Sequence, residues 1–278
     1  MKLNFMKVNP TENMTVFITD PLPRKSYRHI AKDIMNYNRL HGEQVGFIEK
    51  PTCNYSQAVI RLHMMGDEFC ANATRGLAAA LVYKQYPNIE KTGEKFIVPL
   101  EVSGAEELIY CEVEAMEKKE KFISTATIPL HKNLEMFSVD FEDKTYDGTL
   151  VTFHGIIHFI VNSDGLENKE AFFKVVKNQL KDLDFEALGI MFYDEANSYM
   201  EPLVYVKATD SLFWERGCGS GTAAVGVALS TRLNKAIDIA VKQPGGDLQV
   251  STTWQDNKIT NISLSGPVEI AAEGSVYI

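Results

Sequence analysis

Strand-forming residues crowd Lys2 to Val8 and Met14 to Thr19, and the polar interval Asn9-Pro10-Thr11-Glu12-Asn13 between them predicts a turn. Beyond Ser26, a helix N-cap, the apolar residues Ile30, Ala31, Ile34 and Met35 fall on one face at helical spacing. Glu43 to Glu49 predicts a short strand emerging behind two polar residues. Ala58 to Met64 predicts another, and Gly66-Asp67-Glu68 then turns the chain into Cys70. From Ala71 to Tyr83 the chain is apolar almost all the way round, with Gly76, Ala78, Ala79 and Ala80 permitting close neighbours, so this helix is predicted to be buried. Phe96 to Leu100 and Glu106 to Glu114 read as further strands.

The second half repeats that order. Phe122 to Ile128 and Leu150 to Val161 predict strands, and Asn168 caps a helix with Phe172, Val175, Val176 and Leu180 on one face. Leu188 to Tyr193 and Leu203 to Val206 follow as strands, then a second apolar run opens at Gly217-Cys218 and ends near Leu229. Gly46-Phe47-Ile48 answers Gly189-Ile190-Met191, which indicates duplication of a whole α/β unit, longer than the repeat of a solenoid. Ile237 to Val241 and Leu248 to Ser251 predict a hairpin around Gln243-Pro244-Gly245-Gly246, and Ile259 to Ser265 adds a strand before Gly274 to Ile278 returns to the first half.

With 278 residues the chain exceeds the usual single domain, so two domains of roughly 100–150 residues each are expected. Their bounds are placed at 1–117 with 272–278 and at 118–271. The formal net charge of −9 and the lack of a basic block argue against nucleic acid or an anionic membrane as partner. The mixed run Glu117 to Lys121 reads as a solvated turn. No stretch approaches the ~20 apolar residues needed to span a bilayer, and the N-terminus lacks a signal-peptide core, so a cytoplasmic location is expected. There the four cysteines stay reduced, and with no C-x-x-C pair among them no metal site is expected. Cys53, in a predicted loop, and Cys111, among apolar neighbours, read as passive thiols.

Cys70 and Cys218 differ from that pair because each begins a helix, in matching contexts about half the chain apart. A helix start offers free N–H groups and the positive end of the dipole, which favours the reactive thiolate. The amides of Ala71, Asn72, Gly219 and Ser220 can grip a carboxylate, and Gly219 and Gly221 let backbone approach it closely. An amino acid held there, its α-carbon between the sulfurs, can lose a proton to one thiolate and gain one from the opposite thiol, inverting the centre. Two buried core cysteines, a redox pair, and an amino-acid-binding module without turnover are the competing readings.

Four stretches resemble the cofactor-independent amino-acid racemases and epimerases of the diaminopimelate-epimerase type: Cys70-Ala71-Asn72-Ala73, Cys218-Gly219-Ser220-Gly221, Gln243-Pro244-Gly245-Gly246-Asp247-Leu248-Gln249-Val250 and Gly266-Pro267. The resemblance spans most of the chain. It implies an α+β fold of two pseudo-symmetric domains, each a curved, mostly antiparallel sheet wrapped around a central helix, with substrate in the cleft and closure on binding. It also implies a small amino-acid substrate, no pyridoxal phosphate and no metal. The sequence itself does not fix the oligomer and leaves a homodimer open. Cys70 and Cys218 correspond to the base and acid, Asn13 and Gln44 to polar contacts of the amino-acid end, and Ala71, Asn72, Gly219 and Ser220 to the carboxylate-binding amides. On residues alone, Asn13 reads equally as a turn former and Gln44 as an ordinary surface residue.

Two departures bear on the substrate. Glu215-Arg216 lies directly before Gly217-Cys218 rather than well ahead of it, and Gly155-Ile156-Ile157-His158 replaces an Asn-Pro-His turn. Both argue against a second amino-acid head group. The stretches Glu43 to Glu49, Gly66 to Thr74 and Trp214 to Thr222 are most similar to the histidine racemases of this family. Diaminopimelate epimerase and a proline-racemase-like enzyme are the alternatives. Glu43 and Glu215, adjacent to the motifs, are candidates to accept a hydrogen bond from the substrate amine or imidazole.

Overall fold

A computed structural model describes residues 1–52, 57–207 and 210–278, so Cys53 lies outside the described residues. The fold is a sheet-dominated α+β arrangement with two compact units, residues 1–128 with 263–278 and residues 129–262.

The first unit runs β1 (Lys2–Asn9), β2 (Thr15–Ile18), α1 (Tyr27–Met35), β3 (Gln44–Glu49), β4 (Ile60–Met64), α2 (Ala71–Tyr83), β5 (Glu90–Thr92), β6 (Lys95–Val102), β7 (Ile109–Ala115) and β8 (Lys121–Thr127). β1 and β2 are antiparallel, and α1 carries the chain over to β3, which lies parallel to β2 with Phe17 opposite Gly46. Gly46 is required there because a Cβ would stand 2.6 Å from Leu62 Cδ1. β6, β7 and β8 form an antiparallel meander. Every residue of α2 from Ala71 to Leu81 is buried, and the helix packs against β1, β2, β6, β7 and β8. Small side chains make this possible: a Cβ at Gly76 would sit 2.9 Å from Val8 Cγ2.

The side of β2 and β3 that carries Val16, Ile18, Val45 and Phe47 is covered by Tyr27, Ile30, Ala31 and Ile34 of α1. Ser26 stands at the N-cap of α1 but does not cap it with its side chain. It closes a 3-10 turn, Arg24–Ser26, in a right-handed backbone conformation, so its hydroxyl donates back to the Pro23 carbonyl at 2.7 Å.

The second unit contains β9 (Asn133–Phe141), β10 (Lys144–Thr152), β11 (Ile156–Val161), α3 (Lys169–Gln179), β12 (Ala187–Asp194), β13 (Tyr199–Val206), β14 (Ser211–Trp214), α4 (Gly219–Leu233), β15 (Asp238–Gln243) and β16 (Gly246–Gln255). β9, β10 and β11 are antiparallel neighbours. α3, capped by Asn168 Oδ1 on the Ala171 N–H at 2.9 Å, leads to β12 parallel to β11. β13 and β14 continue antiparallel, and α4 packs against β10, β11, β12, β15 and β16. The segment 150–161 is two strands rather than one, because Gly155 turns the chain with φ of 76°.

β17 (Lys258–Tyr277) is a single strand of 20 residues where the sequence predicts two pieces. From Ser263 onward it belongs to the first unit, pairing antiparallel with both β1 and β8. Pro267 is tolerated inside it because β1 stops at Asn9, opposite Glu269, short of the proline's missing N–H. Among the described residues no helix is long and apolar enough to cross a membrane.

Candidate active site

Cys70 is the N-cap of α2, with extended backbone (φ −122°, ψ 108°), and its Sγ accepts the Ala73 N–H at 3.5 Å. Cys218 is the N-cap of α4 with nearly the same backbone (φ −106°, ψ 107°), and its Sγ accepts the Gly221 N–H at 3.3 Å. A sulfur thus takes the place of the usual capping oxygen at both helices. In each case the threonine four residues on, Thr74 or Thr222, donates its hydroxyl to the cysteine carbonyl at 2.7 Å and fixes the first turn. Ala71 and Gly219 occupy the first helical position, before the helix's own acceptors begin, so their N–H groups point out of the helix end. Asn72 and Ser220 come next, and their side chains are engaged in separate networks.

In the first unit Asn13, Glu43 and Asn72 are brought together beside Cys70. Asn72 Nδ2 donates to Asn13 Oδ1 at 3.4 Å, and Asn13 Nδ2 donates to Glu43 Oε2 at 3.0 Å. Arg75, one turn along α2, donates to Asn72 Oδ1 at 2.9 Å and to the carbonyls of Gly266 and Ser124 at 3.0 and 3.4 Å. It is wholly buried, and burial pulls its guanidinium down to about 10. Gln44 opens β3 opposite Thr15 and is half-buried.

In the second unit Cys218 is held from three sides. Gln243 Oε1 accepts the Cys218 backbone N–H at 2.7 Å while Gln243 Nε2 donates to Thr222 Oγ1 at 2.9 Å. The hairpin tip is tied to the same segment, since Gly245 N–H donates to the Arg216 carbonyl and Arg216 Nη2 donates to the Pro244 carbonyl. Ser220 Oγ lies 3.7 Å from Cys218 Sγ and 2.9 Å from Nε2 of His158. His158 is fully buried on β11 and burial drives it down to about 3, so its ring is neutral. Gly189 of β12 faces it and must be glycine, since a Cβ there would overlap the imidazole.

The helix start does not dominate the acidity of Cys218. Its thiol is pushed well up, first by burial and then by the charge of Glu215 and the bond that the Glu215 carboxylate accepts, against a smaller lowering by the Gly221 N–H and Ser220. At Cys218 the sequence expectation of a lowered value is therefore corrected: the dipole acts over one turn, while desolvation acts from every side. Cys70 is half-buried. Cys111 is buried in the core of the first unit and pushed up to about 12 by burial. Glu215 also lines a cleft with Glu201, Pro202, Trp214, Arg216 and Pro244.

The sequence assigns no site role to Arg75, His158 or Gln243, although His158 closes the Gly155 to His158 stretch and Gln243 heads the Pro-Gly-Gly hairpin motif.

A family model described as the histidine racemase CntK N-terminal domain matches residues 2–277. A histidine racemase of Fusobacterium nucleatum subsp. nucleatum (strain ATCC 23726 / VPI 4351) is 37% identical over 284 residues, covering 99% of this chain and 97% of that protein. One from Staphylococcus aureus (strain Mu50 / ATCC 700699) is 29% identical over 282 residues, covering 99% and 98%. Among solved structures, a hydroxyproline epimerase from Agrobacterium vitis with bound trans-4-OH-L-proline superposes with a TM-score of 0.72 at 12% identity, covering 99% of this chain and 92% of that one. A probable proline racemase from Agrobacterium radiobacter K84 gives 0.71 at 14% identity, covering 99% and 93%. At such identities the structural likeness speaks for the fold.

Proposed function

Within the histidine racemase family, to which this chain belongs, we propose that it interconverts L- and D-histidine by a two-base reaction of Cys70 and Cys218. The observation that carries this reading is the shared cap geometry: two thiols, one per unit, each at a helix N-cap and each accepting the N–H three residues on. The two units are then pseudo-symmetric halves, each a curved sheet around its own cysteine-capped helix.

The substrate carboxylate rests on the first-turn amides, Ala71 and Asn72 from one helix and Gly219 and Ser220 from the other. One thiolate takes the α-hydrogen as a proton, and the C–H electron pair passes into the carboxylate that those amides hold. The opposite thiol gives its proton to the other face of the carbon, so the sulfurs end with their protonation states exchanged. Burial and Glu215 favour the protonated form of Cys218, which suits it to give a proton. Asn13 and Gln44 contact the amino-acid end, and Glu43 and Glu215 accept from the substrate amine or imidazole. Proton transfer of this kind needs no pyridoxal phosphate, and it needs reduced thiols, as in cytoplasm.

Incubation in D₂O with separate L-histidine, diaminopimelate and L-proline tests the reading. Histidine gains an α-deuteron fastest, and Cys70→Ala and Cys218→Ala each slow the exchange by at least about 100-fold. Faster exchange of diaminopimelate or proline, or full exchange by either alanine variant, overturns it. Tight histidine binding with no exchange makes the protein a binding module.

A further inference from the structure

We propose that Arg75 is a positioning residue for this reaction: it begins a one-way hydrogen-bond chain through Asn72 and Asn13 that ends on the Glu43 carboxylate. The inference rests on the site assignment above and extends it to a residue that touches no substrate. Guanidinium can only donate, and Arg75 gives an N–H to Asn72 Oδ1 at 2.9 Å. That leaves Asn72 Nδ2 as the donor to Asn13 Oδ1 at 3.4 Å, and Asn13 Nδ2 as the donor to Glu43 Oε2 at 3.0 Å. An ionised carboxylate can only accept.

A donor-only group at one end and an acceptor-only group at the other permit one orientation of each amide between them. Turning either amide over would set N–H against N–H on one side and oxygen against oxygen on the other. Asn13 and Asn72 are both buried, so such a mismatch costs the full desolvation of the groups left unpaired. Arg75 itself is fixed, since the carbonyls of Gly266 on β17 and Ser124 on β8 take its other amino group. Among the described residues it forms no ion pair with a carboxylate. Glu43, reached through two amides, supplies the negative end of the chain, and the Cys70 sulfur stands at the N-cap of the same helix.

Arg75→Lys keeps the charge but cannot span Asn72, Gly266 and Ser124 together. Measured on histidine, it lowers kcat/KM by about 10- to 100-fold. In a Glu43→Gln background the same change costs less than about threefold, because the chain already lacks its charged end. Losses that multiply, or an Arg75→Lys enzyme equal to wild type, overturn the proposal. Side-chain amide NMR of wild type and Glu43→Gln tests it without altering Arg75: the chain requires the Asn13 and Asn72 amide signals to move together, and movement of Asn13 alone rejects it. If wild type leaves the α-hydrogen of histidine in place, the functional reading falls, and the amide signals still decide whether the chain exists.

Discussion

Gln243 holds Cys218 by its backbone, accepting the cysteine N–H at 2.7 Å through the oxygen of an amide whose nitrogen donates to Thr222. One buried side chain on a hairpin thereby sets the height of the sulfur above the first turn of α4.

Gln243→Leu removes both bonds at nearly constant volume and strands a buried N–H. The expected loss of stability is about 1–3 kcal/mol, read from urea unfolding, and kcat/KM on histidine should fall further than stability alone explains. Gln243→Glu keeps the acceptor and loses the donor to Thr222, so it should retain more activity than the leucine variant.

Gly221 leaves no room for a side chain beside the second sulfur. A Cβ there would overlap Met191 Sδ and lie 3.1 Å from Cys218 Sγ. Gly221→Ala is expected to cost about 100-fold in kcat with a folded protein by circular dichroism, and Met191→Ala in the same chain should recover part of the loss.

Glu215 raises the pKa of the Cys218 thiol, so removing its charge lowers that pKa. For Glu215→Gln the alkaline limb of kcat/KM, where Cys218 loses the proton it must donate, should move to lower pH. Thiol alkylation followed by mass spectrometry supplies a second check. Half-buried Cys70 should react before Cys218 in wild type, and the Cys218 rate should rise in Glu215→Gln.

His158 is neutral and buried, with its ring pulled from an ordinary 6.5 down to about 3. The unfolded chain binds that proton more readily, so the stability this implies is present at neutral pH and is lost as pH falls from about 6.5 toward about 3. His158→Gln, which can still reach Ser220, should unfold less steeply in acid over that window, as followed by denaturant midpoints at each pH.

What was legible in the sequence was local. The small-residue runs after Cys70 and Cys218 announced buried helices, and α2 spans Ala71–Tyr83, the range its apolar pattern gives. β9 was not legible, because most of its residues face solvent and its pattern names no core side. Arg75 looks like an ordinary helix cation until carbonyls from β8 and β17, far off in sequence, close over it. The same contrast explains Cys218. Its helix-start position could be read from neighbouring letters, whereas its burial depends on strands brought in from elsewhere.

The crossing of β17 from one unit into the other bears on biosynthesis. Val268 and Ile270 belong to the core around α2, yet the ribosome adds them only after the whole of the second unit. The nascent first unit therefore waits with its hydrophobic interior open along two strand edges, those of β1 and β8, until the last stretch emerges. A chaperone that shields strand edges would find its client in that interval.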